Sequence, residues 1–155
     1  MYSEQLRTLG YNYRNGIGVK KDEKKAFEYF MEAAELGNSS AMNDVYDCYY
    51  YGIGVEINYQ KSFEYCKRSA DLGNAHALCN VGLCYENGRG TDQDYIKAFE
   101  YYEKSANMGV ECAMYNVALC YRNGTGTKKD IQSANYWFRK YRSLLISFFV
   151  PVPFR

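Results

Sequence analysis

The strongest constraint on this chain is a frame that returns every 36 residues. Its clearest copy is Leu83-Cys84-Tyr85-Glu86-Asn87-Gly88-Arg89-Gly90, followed by Asp94 and by Lys97-Ala98-Phe99-Glu100-Tyr101-Tyr102. One period earlier stand Gly52, Gly54, Phe63 and Tyr65, and one earlier again Gly16, Gly18, Phe27 and Tyr29. One period later come Gly124, Gly126 and Trp137. A fixed period of this length marks a stacked array, in which each unit is one supersecondary motif that buries its apolar face only against its neighbours. The 155 residues hold four such units, about 5–40, 41–76, 77–112 and 113–148. Residues 1–148 are therefore expected to form a single solenoid, with 149–155 left as an apolar tail.

Each unit reads as two helices. In the first, Ala41/Ala77/Ala113, Val45/Val81/Val117 and Tyr49/Tyr85/Tyr121 recur at steps of four, which keeps them on one helical stripe. Unit one is a weaker copy, with Gln5, Leu9 and Tyr13. Gly16, Gly52, Gly88 and Gly124 are placed to stop this helix in the left-handed conformation. Asp22, Asn58, Asp94 and Asp130 fit N-caps of the second helix. There, small and aromatic residues alternate at three- and four-residue steps, as in Ala98, Tyr101 and Ser105. Gly37, Gly73 and Gly109 end the second helix in three units, and the fourth lacks that glycine. Ser3 is expected to cap the first helix. Leu144 to Phe154 is apolar, carries Pro151 and Pro153, and is expected to fold over the open end of the last unit.

The net charge of +1 offers no footprint for nucleic acid. Leu144 to Val152 is far short of the ~20 residues of a membrane-spanning helix. The first eighteen residues hold no apolar run of the kind a signal peptide needs. Of the six cysteines, Cys48, Cys84 and Cys120 share one position in successive units, too far apart to pair with each other. Free thiols in a cytoplasmic monomer are the expectation.

The frame Ala-x-x-x-Val/Leu-Gly-x-x-Tyr-x-x-Gly-x-Gly, then Asp-x-x-Lys-Ala-x-x-Tyr/Trp-Tyr/Phe-x-x-Ala-Ala/Ser-x-x-Gly, resembles the Sel-one-like repeats, relatives of the tetratricopeptide repeats. Tyr46 and Ala118 depart from it, where Gly10 and Gly82 keep the helix glycine. The resemblance implies an all-α, right-handed solenoid of four helix pairs whose members act as adaptors or scaffolds. It also implies that the first helices line a concave groove. Cysteine-rich members of the family staple helices with disulfides near Ala34/Met42, Ala70/Leu78 and Ala106/Met114. None of those six residues is cysteine here.

Chemistry beyond binding has thin support. The Gly-x-Gly loops lack the Lys-Ser/Thr of a phosphate loop. His76, Cys79 and Cys112, with water or Cys84, match zinc ligands by type. At the equivalent positions, however, Ser40 replaces His76, and Asn43 and Tyr115 replace Cys79. Nucleophilic catalysis has little support: there is one histidine, and Cys79 near His76 lacks an evident orienting acid in sequence unless the fold brings up Asp47 or Glu86, so no enzyme activity, metal or cofactor is expected. The expected function is a groove for a protein or peptide. Its lining is read as Arg7, Tyr11 and Arg14; Asn43, Asp47 and Tyr50; His76, Cys79, Leu83 and Glu86; and Tyr115, Leu119 and Arg122. Tyrosine and arginine are the types enriched at binding hot spots. Two alternatives stand beside it: a cysteine/histidine metal or redox protein, and an architectural stretch of a longer repeat protein.

Overall fold

The computed structural model describes residues 2–149, and among them the chain forms eight helices and no strand. They are α1 (Tyr2–Asn15), α2 (Glu23–Glu35), α3 (Ser39–Tyr51), α4 (Tyr59–Asp71), α5 (Ala75–Asn87), α6 (Tyr95–Asn107), α7 (Glu111–Asn123) and α8 (Ile131–Phe149). Each helix packs mainly on the ones before and after it, so four helix pairs stack in chain order. This is the expected all-α repeat solenoid.

The helix ends follow from single residues. Side-chain oxygens of Asp22, Asn58, Asp94 and Asp130 accept from the backbone N–H of Lys25, Lys61, Lys97 and Ser133 at 3.0–3.1 Å, as expected of N-caps. A second set was not foreseen. Asn38 and Asn74 cap α3 and α5 through the N–H of Ala41 and Ala77, at 2.8 and 3.0 Å. Those helices therefore start two residues before Ala41 and Ala77. Ser3 does not cap α1; it lies inside a helix that begins at Tyr2. At the other end Gly52, Gly88 and Gly124 take φ of 71°, 62° and 68° and close their helices on the carbonyls of Cys48, Cys84 and Cys120.

The second glycine of each loop has a different role. A Cβ on Gly54, Gly90 or Gly126 would run into the carbonyl oxygen of Glu23, Tyr59 or Tyr95. Each of those is the first residue of the preceding unit's second helix. The loop backbone thus presses on the helix start of the unit before it. Gly18, with no described unit before it, has nothing within 4 Å.

Within a unit the two helices cross closely because small residues line the contact. Ser69 and Ser105 donate their hydroxyls to the carbonyls of Ser39 and Ala75, at 2.6 and 2.7 Å, so these buried polar groups are satisfied. At the crossing one large ring fills the space. Phe30 opposes Gly10 and Tyr102 opposes Gly82, and a Cβ on either glycine would lie 2.7 or 2.6 Å from the ring. In unit two Tyr46 supplies the ring and the opposing position is Cys66; both are buried.

Two end regions depart from expectation. In α1 the buried residues are Leu6 and Gly10, whereas Gln5 and Leu9 are exposed. The stripe is thus one residue displaced from the reading Gln5–Leu9–Tyr13. At the other end no glycine stops α8, which runs for 19 residues against 13 for α2 to α7. Leu144 packs on the core of the last two units. Ile146, Phe148 and Phe149 point outward, 62%, 72% and 82% exposed. This part of the tail does not fold back over the last unit, and residues 150–155 lie outside the described residues.

Candidate partner-binding face

The first helices form one continuous surface because their side chains join across units. Arg7 on α1 donates to Asp44 on α3 at 2.6 Å, and Asn80 on α5 donates to Asn43 on α3 at 2.7 Å. Asn116 on α7 reaches Cys79 on α5 at 3.9 Å. The same two helix positions make all three bridges, each spanning 37 residues. Arg14 adds an ion pair to Asp47 at 3.8 Å. Asp44, Asn80 and Asn116 were not among the sequence candidates. They neighbour the candidate positions by one residue, and only the inter-unit register reveals them.

Most of the expected lining residues do reach this surface. Tyr11, His76, Tyr115 and Arg122 are exposed, and Arg7, Arg14, Asn43, Asp47, Leu83, Glu86 and Leu119 are half-buried. Tyr50 and Cys79 are corrections: both are buried and belong to the core. The Tyr50 hydroxyl accepts from Arg89 at 2.6 Å, and the guanidinium carbon of Arg89 lies 5.0 Å from the ring centres of Tyr50 and Tyr59. Arg89 belongs to the loop of unit three, so it clamps Tyr50 of unit two from outside. Glu86 is likewise committed inward, accepting the Tyr102 hydroxyl at 2.8 Å. The tyrosine overlooked in the sequence is Tyr51, which stands where the other units carry Asn15, Asn87 and Asn123. It is 62% exposed, beside 55% for Tyr11 and 42% for Tyr115. Tyr115 rests on Phe138 and Tyr141, with ring centres 5.8 and 5.3 Å away, and Arg122 lies over Phe138.

The electrostatics are uneven along the face. Burial pushes the Asp47 carboxyl up to about 6, against the pull of Arg14. Burial likewise raises Cys48 to about 12 and Cys120 to about 11. The cysteine contacts differ from those positions. Cys79 on α5 and Cys112 on α7 have their sulfurs 3.3 Å apart, although they lie 33 residues apart in sequence. His76 does not join them into a ligand set: among the described residues no three of His, Cys, Asp and Glu stand close enough to hold a metal ion. No described helix is long and apolar enough to cross a membrane.

Comparison with known proteins gives a consistent result. The family model described as Sel1 repeat matches four times, over residues 8–38, 39–74, 75–110 and 113–140. No curated protein matches the chain. Among solved structures, a Sel1 repeat protein from Oxalobacter formigenes superposes with a TM-score of 0.88 at 28% identity, over 92% of this chain and 57% of that one. The antigen c5321 of uropathogenic Escherichia coli, described as displaying an SLR fold, gives 0.85 at 28% identity, over 92% of this chain and 30% of that one. Cysteine-rich protein B (hcpB) of Helicobacter pylori gives 0.62 at 30% identity, over 81% of this chain and 90% of that one. The chain thus spans 57% and 30% of the lengths of the first two. Its four matched repeats, each folded as one helix pair with the same glycine loop, make this chain a member of the Sel1 repeat family.

Proposed function

We propose that this chain is a non-catalytic adaptor module whose first-helix face receives a protein or peptide partner. Sel1 repeat proteins are generally protein-interaction modules, which supports the reading. The observation that carries it is the exposure of Tyr11, Tyr51 and Tyr115 on the same run of helices, α1, α3 and α7. Exposed rings cost apolar hydration when free and supply contact area at low entropy cost when bound, which is why tyrosine is over-represented at hot spots. Between them, Arg7, Arg14, Asp44 and Asp47 are already paired with one another. They hold the units in register and leave the tyrosines, His76 and Arg122 for the partner.

The test uses a displayed library of random peptides, selected against the full chain. Selected binders should lose about 30-fold or more in affinity against Tyr11→Ala/Tyr51→Ala/Tyr115→Ala, equivalent to ~2 kcal/mol. The outer-helix variant Glu28→Ala/Glu100→Ala should bind within about threefold of the unaltered chain, as expected for solvated charges. Binders that ignore the tyrosine variant and fail on the outer one would move the recognition surface to the second helices. Helicity by circular dichroism should match across all variants.

A further inference from the structure

Six cysteines are present and free, yet their settings are unlike. Cys48, Cys84 and Cys120 are buried behind the helix-ending glycines. Cys66 is fully buried in the core of the middle units, with its thiol on the carbonyl of Phe63 at 3.3 Å. Cys112 is the exception, exposed in the first turn of α7. Its sulfur lies 3.3 Å from that of Cys79, itself 1% exposed.

We infer that Cys79 and Cys112 form a peroxide-reactive dithiol site, in which Cys112 takes the oxidant and Cys79 resolves it to a disulfide between units three and four. Three observations combine. The two sulfurs are in non-bonded contact, so forming a bond of about 2.05 Å asks for a closure of little more than 1 Å. One sulfur is open to solvent and the other is not, which gives the oxidant one point of entry and protects the resolving thiol. The coincidence also belongs to a single junction. At the other two, the equivalent position pairs are Arg7 with Ser40 and Asn43 with His76.

The local chemistry assigns the order of events. Once ionised, Cys112 accepts from the Cys79 thiol and from the backbone N–H groups of Ala113 and its own residue, and this holds its thiol down to about 7. The hydrogen bond that it gives away, together with burial, pushes the Cys79 thiol up. Cys112 therefore supplies the thiolate. It attacks one oxygen of hydrogen peroxide; the O–O bond breaks, the departing hydroxide gains a proton and leaves as water, and Cys112 becomes a sulfenic acid. Cys79 then gives up its proton and attacks the sulfenic sulfur. The S–O bond breaks, the hydroxyl leaves with that proton as a second water, and the disulfide forms. Two electrons, one from each thiol sulfur, have reduced one peroxide to two waters. A dithiol reductant reverses the bond. The link would join α5 directly to α7, two helices that otherwise share α6 as a common neighbour. The site stands on the cysteine geometry alone and does not depend on the partner-binding reading.

The experiment treats the reduced full chain with hydrogen peroxide under native conditions and counts thiols after denaturation. Two of the six thiols should disappear, peptide mapping should find Cys79 joined to Cys112, and dithiothreitol should restore all six. In Cys79→Ala, Cys112 should persist as a sulfenic acid that dimedone captures, with no intramolecular disulfide. In Cys112→Ser, an exposed change that leaves the fold intact by circular dichroism, thiol loss should slow by about tenfold or more. The inference is overturned if six thiols survive, if the bond maps to two buried thiols such as Cys66 and Cys84, or if Cys112→Ser oxidises as fast as the unaltered chain.

Discussion

In unit two the large ring at the helix crossing comes from the first helix, as Tyr46, and opposes Cys66. In unit three it comes from the second helix, as Tyr102, and opposes Gly82. The neighbouring turn is exchanged with it. Tyr46 packs on Tyr50, ring centres 5.2 Å apart, where Tyr102 instead donates its hydroxyl to Glu86, the residue equivalent to Tyr50. The helix pairs keep the same length and are capped at equivalent positions in both units. The crossing therefore requires one ring and one small residue, and it does not require a particular helix to supply either. A unit is specified by the volume at the crossing and by the backbone at its ends.

The largest effect should come from breaking that complementarity on one side only. Gly82→Tyr puts two rings in one space, since even a Cβ there lies 2.6 Å from the Tyr102 ring. It should cost ~4 kcal/mol or more by chemical denaturation. Adding Tyr102→Cys, which imports the unit-two arrangement, should recover more than half of that loss. A double variant no more stable than the single one would break the comparison.

Next in size is a pair of changes at a place the two units share. Gly54→Ala and Gly90→Ala each drive a methyl group toward a carbonyl of the preceding unit and should cost ~3 kcal/mol, nearly equally. Gly18→Ala, with open space around it, should cost only the left-handed backbone penalty of ~1–2 kcal/mol. Equal values at all three positions would show that the inter-unit contact contributes nothing.

Smaller again is an effect confined to unit two. Asp47 stands where unit three has Leu83. Its folded-state value near 6 lies above the ordinary carboxylate value near 4, so the folded chain holds that proton more tightly than the unfolded chain. Stability should therefore fall as pH rises from about 4 to 6, and the penalty is complete above that window. Asp47→Asn should stabilise the chain by roughly 1–2 kcal/mol at pH 7.5 and by almost nothing at pH 3.5. A Tm difference that does not change with pH would contradict the assignment.

The smallest separates hydroxyl from ring. Tyr102→Phe keeps the ring and removes the bond to Glu86, and should cost ~1–1.5 kcal/mol. Tyr46→Phe, with no comparable carboxylate partner, should cost less in the same denaturation experiment.

The architecture was legible because it repeats. One glycine after a helix is weak evidence; the same glycine at four equivalent places is strong, and the caps at Asp22, Asn58, Asp94 and Asp130 followed from it. Apart from the recurring caps Asn38 and Asn74, what escaped occurs once or depends on register. The displaced stripe of α1 turns on Leu6 and Gly10, next to Gln5 and Leu9, which stand where the other units carry alanine and valine. Tyr46 reads as a lost glycine until Cys66 is seen opposite. Tyr50 and Cys79 sit at the edge of the helix face, where one step of a helical turn decides between core and surface. That choice is made by the neighbouring unit, through Arg89 for Tyr50 and Cys112 for Cys79. The close approach of Cys79 and Cys112 is invisible to a period of 36, because it joins positions 33 apart.

The second loop glycine has a consequence for how such arrays change over time. Its contact is made between a missing side chain and a main-chain oxygen, so neither partner contributes chemistry that a substitution elsewhere could spoil. A junction of that kind accepts whole units as interchangeable parts. Duplication, loss or shuffling in multiples of the period leaves every seam intact, whereas an insertion of one or two residues between the glycines does not. Residues along the outer and inner walls can then be rewritten for new partners, one unit at a time, while the seams stay the same.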